Sequence, residues 1–174
     1  RDLEAFLIKR SIEGRTVRVA SSGAEITGPD LEKALQRMIT QQKLLQTVER
    51  AKAQAAERRA RNDEATTRFG PFLDTVVVPL VRQVAQALRA ESHLLFNVFT
   101  PSGSVRLMSE RNAEDFIELF LDTTGTEPRV VGRTRRSRGS RVLESEEALG
   151  APGALSEEDV LAFLLRALEG FVER

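Results

Sequence analysis

Apolar positions change their spacing from segment to segment along this chain, and each change marks an element. Leu3, Phe6, Leu7 and Ile8 recur at helical spacing up to Glu13-Gly14, which predicts a short helix over residues 2–12. "RTVRVA" then alternates with period two, "SSG" reads as a turn and "AEI" resumes the alternation, so a small hairpin is expected. "TGPDLE" opens a helix. Thr27 or Gly28 can cap it, Pro29 suits the first helical position, and Asp30 and Glu32 sit at the positive end of the dipole. From there Leu31, Leu35, Met38, Leu45 and Val48, with Gln42 in register, form one stripe suited to a partner helix or to the hairpin.

The stripe then stops. Residues 49–68 contain no Val, Ile, Leu, Met or Phe, yet they are rich in the helix formers Ala, Glu, Arg, Lys and Gln. Glu57/Arg61 and Glu64/Arg68 are correctly ordered i,i+4 pairs. A helix with nothing to bury is a solvated connector, about 30 Å long for twenty residues, with a flexible linker as the rival. The expected organisation is therefore a helix/hairpin/helix element over 1–50, a solvated helical connector over 51–68, and an α+β module over 69–174.

Helical spacing returns at Phe69, Phe72, Leu73, Val76, Val77, Leu80, Val81, Val84 and Leu88. Pro71 can open this helix, and Pro79 inside it predicts a kink near Thr75. "HLLFNVF" is apolar on both faces, as a central strand would be. "TPSG" is a turn, and "SVRLM" returns as a second strand. "EDFIELFLDT" fits either a strand or a helix capped by Asn112. The turn "TTGTEP" and the β-type run "RVVGRT" behind it favour the strand. "RRSRGS" and "RVLESE" complete a second hairpin. Ser156 then caps a final helix carrying Glu157, Glu158 and Asp159 in its first turn. The expected fold class is α+β, with a long connecting helix and a small antiparallel sheet of about four strands. A kinked helix and a C-terminal helix pack that sheet.

Composition narrows the chemistry. Lys+Arg and Asp+Glu both number 26, so no global charge bias points to nucleic acid or an anionic membrane. Zero Cys excludes disulfides and thiolate metal sites, and suits a reducing cytosol, where the chain is expected. No apolar run approaches the roughly 18 residues of a membrane span. His93 is the single histidine, and Tyr and Trp are absent. His93 beside Ser92 is far more readily a helix-end or strand-start residue than a general base. The acidic "EEDV" and "ESEE" read as a helix N-terminus and an exposed strand end, and "GAPGAL" lacks the Lys and spacing of a phosphate loop. No catalytic residue, cofactor or metal is therefore expected, and the chain alone is not expected to be an enzyme.

Two features remain. "RVVGRTRRSRGSR" carries six arginines (Arg129, Arg133, Arg135, Arg136, Arg138 and Arg141) and no acid, whereas from Val142 onward eight acids face two arginines. Such density suits a nucleic-acid backbone, but no aromatic is interleaved for base stacking. Arginines paired with the acidic C-terminal helix of the same or another molecule are the plainer expectation. The final helix has a wide apolar face, which suits core packing or a seam with a partner or second copy through Val160, Leu161, Leu164, Leu168 and Phe171.

"IEGRTVRV", the helix start "TGPDLEKAL" and the ending "LQTVER" resemble, over residues 3–50, part of the C-terminal half of bacterial DNA gyrase B. That family belongs to an ATP-dependent type II topoisomerase and works with a second gyrase subunit. Its ATP-binding motifs, acidic Mg²⁺ cluster and "GLGE"-like tail have no match here, so none of its functional residues transfers to a position of this chain. The resemblance ends at Arg50, where the stripe also ends, and the absence of an initiator Met suits a fragment, a fusion or a processed product. Two functional expectations follow: a non-catalytic interaction or oligomerisation module, or a DNA-associated module or topoisomerase fragment that uses the Arg cluster.

Overall fold

A computed structural model describes residues 17–18, 25–26, 28–91 and 94–172. The expected helix over 2–12 and His93 lie outside them. The chain divides into two compact units, residues 1–56 and 57–174.

In the first unit, β1 (Val17–Arg18) pairs antiparallel with β2 (Glu25–Ile26), joining Val17 to Ile26 and Arg18 to Glu25. The residues between these two strands, where the turn of the expected hairpin falls, lie outside the described residues. Helix α1 runs Gly28–Phe72, with Asp30 in its first turn. Leu35 and Ile39 are half-buried, whereas Met38, Leu44, Leu45 and Val48 stand 65, 64, 56 and 41% exposed.

In the second unit the sequence expectation for 51–68 needs correction at its end. Residues 51–61 are exposed, but Asn62 is half-buried and donates to the Thr123 carbonyl, and Ala65 is buried. Alanine leaves no mark in an apolar pattern, although its small side chain suits a close approach. Pro71 does not open a helix; it lies inside α1. Near Thr75, where a kink is expected, the backbone makes a π-helical turn, Leu73–Val77, in which the Val78 amide donates to the Leu73 carbonyl. In regular α geometry the ring of Pro79 would clash with the carbonyl one turn earlier, and a wider turn just before it relieves that crowding. The Pro71 carbonyl accepts the Thr75 hydroxyl at 2.7 Å. Helix α2 follows as Val78–Glu91.

Five strands form an antiparallel meander in the order β3-β4-β5-β6-β7, one more than about four expected: Phe96–Phe99, Ser104–Ser109, Phe116–Asp122, Arg129–Arg138 and Arg141–Gly150. "EDFIELFLDT" is a strand. "HLLFNVF" is not central, because β3 is an edge strand with Asn97 and Phe99 exposed. An apolar run alone does not show whether the second face is covered.

Alternation gives the sheet an inner and an outer face. Val105, Leu107, Ile117, Leu119 and Val130 point inward and join Phe69, Leu73, Val77, Val81 and Phe96 in one core cluster. Helix α3 (Glu157–Val172) completes that cluster with Val160, Phe163, Leu164, Leu168 and Phe171. Phe96 and Phe171 meet edge to face with centroids 5.5 Å apart. Gly132 lets α3 approach β6, because a Cβ there would collide with the Phe163 ring. Ser156 caps α3 reciprocally: its hydroxyl accepts the Asp159 amide, and Asp159 accepts the Ser156 amide at 2.9 Å.

Candidate interaction surfaces

The strand register builds the outer face as rows of side chains. One row crosses all five strands: Phe99 faces Arg106, Arg106 faces Glu118, Glu118 faces Arg133, and Arg133 faces Glu146. Charge alternates along it. Glu118 is buried and accepts Arg106 at 3.0 Å and the Ser104 hydroxyl, with Arg133 at 3.8 Å. Arg133 also bonds Glu146 at 2.6 Å. The guanidinium carbons of Arg106 and Arg133 lie 4.3 and 4.8 Å above the rings of Phe116 and Phe120. The arginines thus lie over aromatic rings and are paired with carboxylates on neighbouring strands. This arrangement covers the outer face and leaves little charge for a ligand.

That geometry decides most of the Arg cluster. Arg129 bonds Asp122 at 3.2 Å, and Arg135 bonds Glu114 at 2.8 Å. The Asp122 carboxyl is held below its ordinary value by the hydroxyl and amide of Thr124, and further by Arg129. Arg136 donates to the Gly170 carbonyl at the end of α3, where the helix presents unpaired acceptors. Pairing within the molecule was the plainer expectation, but the acids come from strands and turns; among the described residues only Arg136 of the cluster meets the C-terminal helix, and it meets a carbonyl. Arg138 and Arg141 are exposed and, among the described residues, have no acidic partner. Arg111 shares that state. Its signal was invisible in the sequence because it lies outside the arginine-rich run.

The partner face expected on the final helix is corrected by burial. Val160, Leu164, Leu168 and Phe171 are core residues and Leu161 is half-buried, so their width of apolar surface is taken up by the sheet and the π turn. Only Leu165 and Val172 of that helix leave large apolar side chains exposed. In the first unit, by contrast, Met38, Leu45 and Val48 of the α1 stripe remain exposed, as does Leu44, which the sequence pattern passed over.

Among the described residues no group of three or more His, Asp or Glu side chains is placed to hold a metal ion, and no helix is long and apolar enough to cross a membrane. No family model, curated protein or solved structure matches the chain.

Proposed function

We propose that this chain is a non-catalytic interaction module that pairs with a second copy of itself through α1. The observation that carries this is the solvent-exposed seam of the first unit. Ala34, Met38, Gln41, Leu45, Val48, Lys52 and Ala55 are spaced alternately by four and three, the a/d pattern of a coiled coil. Of these, Met38 and Leu45 are each more than half exposed. Burying a Leu or Met side chain contributes roughly 1.5–3 kcal/mol, so the exposed stripe has a strong tendency to be covered. A heptad seam requires a partner with the same period, and an identical chain supplies it. Gln41 would then fix the register by pairing across the seam, while Lys52 weakens its far end. The absence of Cys, Tyr and Trp, with a single His, supports a role without covalent or acid–base chemistry. The resemblance of residues 3–50 to gyrase B adds no function to this proposal, because none of that family's functional residues has a position here.

Light scattering coupled to size-exclusion chromatography tests it. The chain should elute with the mass of two copies at high micromolar concentration, and Met38→Glu/Leu45→Glu should elute with the mass of one, without loss of helicity. A wild-type chain that stays monomeric throughout that range overturns the proposal.

A further inference from the structure

The tip of the β6–β7 ribbon has a property that pairing within the fold does not account for. β5 pairs with β6 only as far as Arg135; beyond it β6 and β7 continue as a two-stranded ribbon, with Arg136 opposite Leu143, Ser137 opposite Val142 and Arg138 opposite Arg141. The turn is Gly139-Ser140, with Gly139 at a φ of +63°. Two arginines therefore flank the turn directly opposite each other, and like charges in that position destabilise a strand pair. Among the described residues no carboxylate relieves them. The base of the ribbon is fixed: Asp115 accepts the Ser137 amide at 2.6 Å, Asn112 donates to the Ser137 hydroxyl at 3.2 Å, and Arg136 holds the end of α3. The same clamp brings Arg111, the neighbour of Asn112, to this end of the sheet. The nearby acids Glu110 and Glu114 are already bonded to Arg89 and Arg135.

We infer that this tip binds the phosphate backbone of duplex nucleic acid, through Arg138, Arg141 and Arg111. A fixed base with an exposed, uncompensated cationic end is an anion-docking arrangement. Guanidinium forks match phosphate oxygens in pairs, and a two-stranded ribbon is narrow enough for a major groove. The tip has no aromatic residue, so neither the base stacking of single-strand binders nor the aromatic anchoring of a membrane interface is provided. Binding is independent of sequence, and three phosphate contacts give a slope of log K against log salt of about −3.

Fluorescence anisotropy with a labelled mixed-sequence DNA duplex at about 50 mM salt tests this with the full chain. Arg138→Ser/Arg141→Ser should weaken binding about tenfold or more and reduce the salt slope by about two. Both side chains are exposed, so thermal unfolding should be unchanged or slightly raised. Arg58→Ser/Arg59→Ser removes the same charge from exposed positions on α1 and should leave both binding and slope nearly as they were. Three results overturn the inference: no anisotropy change for the wild-type chain, equal losses in the two double variants, or binding of phosphatidylserine vesicles through Arg138 and Arg141 with none of DNA.

Discussion

At the scale of single residues, this fold depends on positions where side-chain volume or charge is decided by a neighbour distant in sequence. Gly132 is the clearest. Its φ demands nothing special, yet the Phe163 ring occupies the space where a Cβ would stand. The ring is held in the core cluster and cannot withdraw cheaply. Gly132→Ala should therefore destabilise the second unit by about 2 kcal/mol, at the middle of the range for overpacked cores. Chemical denaturation reads this directly, and an unchanged midpoint would show that α3 moves away freely. Glu118 carries a parallel lesson. In the sequence it is one polar position of an ambiguous apolar run; in the fold it is the buried anion between Arg106 and Arg133. Nothing local in the sequence reveals that two arginines from other strands arrive there, so the outer row was not legible. The arginine run was legible as a cluster, but which members stay free depends on strand register.

At the scale of elements, patterns with a local cause were legible and those with a distant cause were not. Ser156 as a cap and the strand over Phe116–Asp122 rest on local chemistry, and they stand as expected. Pro79 led to the expectation of a kink; the chain instead carries a π turn there, the way the helix makes room for the ring. The end of the solvated stretch was misplaced because Ala65 buries itself without any apolar signature. The cap of α3 also makes a pH-dependent contribution. The hydroxyl and amide of Ser156 hold the Asp159 carboxyl below its ordinary value of 3.8. The native state thus binds fewer protons than the unfolded chain in the interval below that value. Stability from this cap is complete above it and is lost as pH falls through the lower native pKa. Asp159→Asn should flatten the acid limb of the stability–pH profile relative to wild type, while Ser156→Ala should cost about 1 kcal/mol at neutral pH. An acid limb identical in wild type and Asp159→Asn would remove Asp159 from the account.

At the scale of the whole molecule, where independent folding begins can be decided by truncation. Every member of the core cluster, from Phe69 to Phe171, lies within residues 57–174. Removing residues 1–56 deletes none of them, so the 57–174 fragment should unfold cooperatively close to the temperature of that unit in the full chain. A boundary at Phe69, which the loss of large apolar residues before it suggests, makes a different prediction. Starting there deletes Ala65, which is buried, and Asn62, which donates to the Thr123 carbonyl. It also leaves Phe69 at a fraying helix end, although its side chain is almost wholly buried. The 69–174 fragment should therefore lose about 1–2 kcal/mol, a fall of about 4–8 °C in a domain of this size. Equal melting temperatures for the two fragments would place the boundary at 69 and make the Ala65 contact energetically empty. The longer fragment also bears on self-association, since it lacks the Ala34–Ala55 seam but retains Leu165 and Val172 on α3. It should run as a monomer at concentrations where the full chain is a dimer. If it remained a dimer, pairing would belong to the second unit, and the exposed stripe of α1 would need another occupant.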